Sequence, residues 1–277
     1  MSYLSVSKTS PFSFISDADT VKGSELQEHY LSNSPFPHIE IDNFLPKSLL
    51  EYCLDNFPAK LDTDGRSFNR SQERYKAAFN PDGMEPGIKS LFYAFNSRPF
   101  ISVLENITGI NGLIPDPYFA GAGLHEIGQG GHLSIHADFN HHQTLNLERR
   151  INVLIYLNKD WEASYGGQLE LWDLKMLSCV KSIIPEFNKA VIFNTTSNSW
   201  HGNPEMVNHP KGLNRRSIAL YYYTATWPDN KREQTTQFKI RPESSDKIDW
   251  KVKREEWLKE YLPPFISRRL LNILHRF

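Results

Sequence analysis

Apolar positions along the chain follow two different periods. Ile39, Ile41 and Phe44 within SPFPHIEIDNFLP (34–46) predict a short strand running into a turn, and Pro46 opens an amphipathic helix over KSLLEYCLDNF (47–57). Residues 88–107 carry Leu91, Phe92, Phe95, Phe100, Val103 and Leu104 at helical spacing, which predicts a core-facing helix. From 117 onward the period changes. YFAGAGLHEI, GHLSIHADF, INVLIYLN, GQLELWDL, CVKSII, AVIFNT and RRSIALYYYT follow one another, with Gly and Asn clusters such as GQGG (128–131) between runs. About seven short strands with no helix among them predict a barrel or sandwich. Helical spacing returns in DWKVKREEWLKEYL (249–262) and PFISRRLLNILHRF (264–277). The class is mainly β with flanking helices (α+β). The predicted division is a Ser/Thr-rich N-terminal arm (1–33) outside the core, a domain over 34–228 with its β core at 117–226, and a C-terminal helical tail (229–277).

Composition narrows the function classes. A formal net charge of -1 gives no general attraction to nucleic acid or to an anionic membrane surface. The two cysteines, Cys53 and Cys179, stand in no zinc or redox spacing and read as free thiols of a reducing compartment. The opening MSYLSVSKTSPFSFISDAD lacks a basic start followed by an apolar run, and no window approaches the roughly 20 apolar residues of a membrane helix. These features predict a soluble, cytoplasmic enzyme or binding module.

The densest chemistry lies in HLSIHADFNHH (132–142), where His132, His136, His141, His142 and Asp138 fall within eleven residues. Such density points to a metal. His136 and Asp138 are two apart in a strand-like run and share a face, so they can share an ion. His141 and His142 precede the polar QTLNLERR and read as solvated loop histidines. A further ligand must come from elsewhere. The best candidate is His201 in AVIFNTTSNSWHGNPE; alone, it would read as a packing or capping histidine. The next strand changes the weighing. Arg215 and Ser217 share a face with Ala219 and Tyr221, and a cation aimed into a barrel is costly unless an anion meets it. Asn152, Leu154 and Tyr156 form a second polar set along one face of INVLIYLN. Two histidines and a carboxylate around an ion open on its other side, with a buried carboxylate clamp, make one coherent constellation.

H-x-D, a strand ending YLNKDW, GGxLxL, a distal histidine and R-x-S on the last strand together resemble the iron(II)/2-oxoglutarate dioxygenase superfamily, in its prolyl 4-hydroxylase-like branch. The resemblance spans roughly 117–226, and RINVLIYLNKDW is similar to the corresponding strand of the hypoxia-factor prolyl hydroxylases. It implies a double-stranded β-helix, or jelly roll. It makes His136, Asp138 and His201 the metal ligands and catalytic residues, and Arg215 the partner of the distal 2-oxoglutarate carboxylate, with Ser217 and Tyr156 beside it and Asn152 in the same cosubstrate-binding set. Arg216 competes for Arg215's role, but strand alternation turns it away. The implied cofactors are Fe(II), 2-oxoglutarate as cosubstrate and O2, with ascorbate an optional addition. The implied reaction hydroxylates an unactivated C–H bond and releases succinate and CO2. Asp138 stands where related halogenases have a small residue, which favours hydroxylation. One position departs: Glu126 stands ten residues before His136, where the hypoxia-factor enzymes have a tyrosine.

The branch points to peptidyl proline as substrate; a free amino acid, a saccharide or a lipid-linked sugar is the alternative. The polar segment 59–87, with Arg66, Arg70, Arg74 and Lys76, is expected to be a lid, a substrate contact or a solvated insertion. The tail helices are expected to pack on the β core, to form a homodimer contact or to lie on a membrane surface. A cupin-type metal enzyme and a non-catalytic jelly-roll binder are the rival classes. Neither needs the metal triad together with the R-x-S clamp.

Overall fold

The computed structural model describes residues 1–5, 19–58, 66–228, 231, 233–246, 249–250, 253–254, 257–258 and 262. The chain runs through α1 (Gln27–Ser32), β1 (His38–Ile41), α2 (Lys47–Asp55), β2 (Arg66–Phe68), β3 (Glu73–Phe79), α3 (Pro86–Phe95), α4 (Arg98–Thr108) and β4 (Ile114–Pro115). It continues through β5 (Gly123–Ala137), β6 (His141–His142), β7 (Leu147–Tyr156), β8 (Leu169–Trp172), β9 (Cys179–Ile183), β10 (Ala190–Asn194), β11 (His201–Asn203), β12 (Arg215–Thr224) and β13 (Gln237–Phe238). The strands pair antiparallel in the order β1-β10-β7-β12-β5-β11-β8-β9, with the remaining short strands on β3, β5, β7 and β12.

Strand alternation divides this sheet into an apolar outer face and a functional inner one. On β7, Ile151, Val153 and Ile155 join the main core with Phe92, Phe95 and Phe100 of α3 and α4; on β12, Ile218, Leu220 and Tyr222 do the same. The Tyr222 hydroxyl donates to the Phe95 carbonyl at 2.9 Å, satisfying a buried phenol at the helix–sheet contact. α3 starts where Pro86 fixes φ in the first turn and the Glu85 carboxylate accepts from the Gly87 and Ile88 amides. The inner face carries Tyr156, Leu169, Leu171, Ile183, Val191 and Phe193.

β5 bends the sheet from one layer to the other. Its first part pairs with β12, from Gly123 to Ile127, and its last part pairs with β11, from Leu133 to His136. Between them Gly130 has φ +70°, and a Cβ on Gly131 would lie 2.6 Å from the Arg74 carbonyl oxygen. GQGG is therefore a glycine kink within one continuous strand of 15 residues, not a turn between two strands.

Several expectations change. Leu4 and Tyr30, inside the stretch expected to be an arm, are core residues; residues 6–18 lie outside the described ones. Much of the expected long loop is the β2–β3 hairpin, whose β3 pairs with β5 from Glu73 to Phe79; residues 59–65 lie outside the described ones. The region expected to be a helical tail begins with β13, which pairs with β5 at Ala137 and His136. The helices expected over 249–262 and 264–277 lie mostly outside the described residues, and the dimer and membrane-surface expectations lie there with them. Among the described residues no helix is long and apolar enough to cross a membrane.

The β3–β5 contact has a sharp steric test. Gly123 has φ +136°, and a Cβ there would lie 2.0 Å from the Phe79 carbonyl oxygen. Gly123→Ala should cost at least about 2 kcal/mol, read as a melting temperature lower by about 4–8 °C. An unchanged melting temperature would mean that β3 is not held this closely.

Candidate metal centre and cosubstrate pocket

His136 is the next-to-last residue of β5 and His201 opens β11, and the two are register partners. Their ring centroids lie 4.5 Å apart. Asp138, one residue past the end of β5, comes between them: its carboxylate oxygens lie 3.6 Å from His136 Nε2 and 3.3 Å from His201 Nε2. One ligand atom from each of the three residues falls within 4.8 Å of the other two. Each histidine Nδ1 lies 2.9 Å from a backbone carbonyl, that of Ser134 for His136 and that of Ser199 for His201. Those bonds require the proton on Nδ1, which leaves each Nε2 with a free lone pair facing the same point. Burial also lowers the pKa of His136, favouring the neutral form that can ligate. Phe193 and Phe238 pack against the two rings.

Behind the carboxylate lies Arg149. Its Nη2 is 3.0 Å from Asp138 Oδ2, and the same oxygen accepts from Asn152 Nδ2 at 2.8 Å. Asn152 Oδ1 in turn accepts from Arg149 Nε and Nη2 at 3.1 and 2.7 Å. The guanidinium stacks 3.6 Å from the Tyr221 ring centroid, and its residue is 2% exposed. Burial alone would raise the Asp138 pKa, but Arg149, ahead of His201, holds it well below the usual carboxylate range. Asp138 thus stays anionic with Oδ2 engaged and Oδ1 open.

Farther along the inner face, Arg215 is 5% exposed. Its Nε donates to the Gly167 carbonyl at 2.7 Å and its Nη2 to the Tyr156 hydroxyl at 3.3 Å. A Cβ on Gly167 would meet Arg215 Cδ at 2.9 Å, so glycine is what allows this approach. Among the described residues no salt bridge reaches Arg215, and burial lowers its pKa, a sign of a desolvated cation with no anion beside it. Ser217 lies directly opposite Tyr156 in the β12–β7 register. Burial raises the Tyr156 pKa, so the phenol keeps its proton. The residues fit an ion with open positions on one side and a dicarboxylate whose far end meets Arg215.

The structure brings His136, Asp138, His201, Arg215, Ser217 and Asn152 to one pocket, and Tyr156 reaches it through its hydroxyl on Arg215. Asn152 spends its amide on Asp138 and Arg149, so its contacts are with the Asp138 carboxylate rather than with Arg215's end. Arg216 faces away and pairs with Glu126 at 2.7 Å. The glycine kink in β5 explains the Glu126 position: it shifts strand parity, so the pocket-facing neighbours there are His125 and Ile127. His132 lies 3.0 Å from the Ser71 carbonyl, at the outer mouth.

Two expectations fail here. His141 and His142 are not solvated; they are 9% and 5% exposed and form β6 against β7. His141 contacts Glu233 at 2.9 Å and His142 contacts Asp116 at 3.2 Å, so both are structural. Arg149, expected in an exposed loop, was missed. Strict alternation would set it with Ile151 on the helix side. A register shift opposite Tyr222 and Tyr223 inserts an extra β7 residue and turns it inward.

The profile of the 2OG-Fe(II) oxygenase superfamily matches residues 122–251, the segment that holds every element of this pocket from β5 onward. That segment is just under half of the chain. A mouse protein described as prolyl 3-hydroxylase OGFOD1 is 35% identical over 79 residues, 27% of this chain; the match spans only 14% of the mouse protein's length. Among solved structures, the non-heme alpha ketoglutarate dependent epimerase SnoN from nogalamycin biosynthesis superposes with a TM-score of 0.50 at 10% identity, covering 78% of this chain and 95% of that one. A Trichoplax adhaerens prolyl hydroxylase in complex with a hypoxia inducible factor peptide gives 0.49 at 20% identity, covering 72% and 88%. At 10% identity the likeness to the epimerase speaks to the fold alone, a double-stranded β-helix.

Removing Arg149 should weaken the metal centre without touching a ligand. Arg149→Met should lower Fe(II) affinity by about 10–100-fold, measured by anaerobic metal titration. His141→Ala should leave that affinity within about twofold while lowering the melting temperature. If the His141 variant were the one to lose iron, the triad would be wrong.

Proposed function

We propose that this protein is a dioxygenase that uses Fe(II), 2-oxoglutarate and O2, and that it hydroxylates a prolyl residue within a polypeptide. In this reading His136, Asp138 and His201 hold the iron, Arg215 grips the distal carboxylate of 2-oxoglutarate, and Ser217 and Tyr156 add hydrogen bonds to the same group. The observation that carries the site assignment is the pair of histidines whose Nδ1 atoms both bond backbone carbonyls, aiming two Nε2 lone pairs at one carboxylate. The prolyl substrate is supported by the 35% identity to a protein described as a prolyl hydroxylase. The catalytic unit we propose extends the 34–228 domain to include the N-terminal core residues and β13. Two free cysteines fit a reducing, cytoplasmic setting.

Bound iron would supply activation of O2, with 2-oxoglutarate providing the electrons as it is decarboxylated to succinate and CO2. The chain's own residues do the rest. Arg149 and Asn152 fix the orientation of Asp138 and keep it deprotonated. Tyr156, protonated by its burial, can donate to the cosubstrate carboxylate. Leu154, Leu169, Phe193 and Phe238 restrict water around the reacting centre.

Arg215→Ala should weaken 2-oxoglutarate binding by about 10–100-fold with iron affinity kept, read anaerobically from the weak visible absorption of the iron–cosubstrate complex. Unchanged cosubstrate affinity would remove Arg215 from this role. Succinate release should be stimulated by prolyl peptides above free amino acids and saccharides; stimulation by a free amino acid or saccharide alone would overturn the substrate reading.

A further inference from the structure

His201 and Asn203 stand two residues apart on β11, and both line the metal pocket. Their register partners on β5, His136 and Leu133, line it too. On the other flank His201 pairs with Leu171 of β8, and Leu169, two residues earlier, is a further pocket residue. Two residues before that comes Gly167, whose carbonyl accepts from Arg215 Nε at 2.7 Å. β8 and β11 run antiparallel, so the step from His201 to Asn203 leads away from the triad and toward Arg215's anchor. Asn203 therefore stands beside the space that separates the metal ligands from Arg215.

This residue is 3% exposed, yet its Nδ2 has no hydrogen-bond partner. A buried amide donor without an acceptor has lost its water and gained nothing in exchange. The apolar residues of the same pocket, Ile127, Leu133, Leu154 and Leu169, cannot accept from it. Other donors there are already engaged. Asn152 Nδ2 donates to Asp138, and Lys76 Nζ donates to Glu73 at 3.0 Å. His125 Nε2 meets the Gly121 carbonyl at 2.9 Å, which leaves its Nδ1 an acceptor. The uncommitted Asn203 donor belongs to what enters the pocket.

At the distal end, Arg215 spends Nε on Gly167 and one Nη2 hydrogen on the Tyr156 hydroxyl, which accepts and so keeps its own proton to donate. Ser217 lies opposite Tyr156. These three come from β7 and β12, in one layer of the fold; Asn203 comes from β11, in the other. A carboxylate has about four acceptor sites on its two oxygens, enough for donors from both sides.

We propose that Asn203 Nδ2 donates to the distal carboxylate of 2-oxoglutarate, completing from β11 the grip that Arg215, Ser217 and Tyr156 exert from β7 and β12. The role depends on this protein being the 2-oxoglutarate-dependent dioxygenase proposed above, and it adds a cosubstrate contact that strand spacing alone does not single out. Asn203 touches the cosubstrate and not the iron, so its loss should change cosubstrate binding and leave the metal in place.

The test uses the full chain, anaerobic and loaded with Fe(II). Affinity for 2-oxoglutarate is read from the weak visible absorption of the complex. Affinity for succinate, which keeps the distal carboxylate but lacks the 2-oxo acid end, is read from displacement of 2-oxoglutarate. Asn203→Leu should weaken both ligands by a similar factor of about tenfold, with Fe(II) affinity within about twofold of the parent. Asn203→Asp should weaken both by about 100-fold or more, because an anion would then face an anion. Either variant suffices if circular dichroism shows that the other does not fold. Parent-like 2-oxoglutarate affinity in the folded variants, with Arg215→Ala still weakened, would overturn the inference and leave the dioxygenase reading standing. Weakened 2-oxoglutarate with unchanged succinate would put the amide at the metal end and overturn it as well. No binding of 2-oxoglutarate by the iron-loaded parent would overturn the dioxygenase reading and this role together.

Discussion

The molecule depends on the two faces of a pair of neighbouring antiparallel strands. β7 and β12 turn Ile151, Val153, Ile155, Ile218, Leu220 and Tyr222 toward the helices, and Asn152, Tyr156, Arg215 and Ser217 toward the interior. A one-residue slip between them would exchange these sets, burying an arginine in the aromatic core and emptying the pocket. The apolar outer face therefore locks the register that assembles the inner one. Stability and chemistry share the same hydrogen-bonded ladder, and neither can drift without the other.

Inside that ladder, two buried arginines have opposite situations. Arg149 has an acid of its own, Asp138, and the pair is fenced by Asn152 and the Tyr221 ring. Its charge is balanced, and with Asn152 it fixes the orientation of Asp138. Arg215 is buried equally well but meets only a carbonyl and a phenol. A desolvated cation without an anion is a standing cost to the fold that a bound carboxylate would offset. The same contrast recurs outside the pocket, where Arg241 is balanced and Arg70 and Arg74 are not.

Much of the site was legible from spacing. H-x-D puts a histidine and a carboxylate on one strand face, R-x-S puts a cation and a hydroxyl on another, and the Asn152–Leu154–Tyr156 alternation marks a third. Each inference used only the two-residue period of a strand, and each held for as long as that period ran unbroken. Where it broke, inference failed. The glycine kink in β5 reversed the facing of Glu126, and the extra residue in β7 carried Arg149 from an expected loop into the centre of the site. His141 and His142 looked solvated because their neighbours are polar; their partners, Asp116 and Glu233, come from far along the chain.

By itself, then, the sequence determined what depends on local periodicity: the strand and helix faces, the chemistry available on them, and the metal triad as a candidate set. Tertiary structure alone decided what depends on distant pairing. It placed Leu4 and Tyr30 in the core, made the 66–79 stretch a hairpin on β5, and set Arg149 behind Asp138. The physical reason is that a bulge or a kink changes a side chain's facing at the scale of one residue, and what fixes it is the strand across the ladder, whose identity no local pattern records.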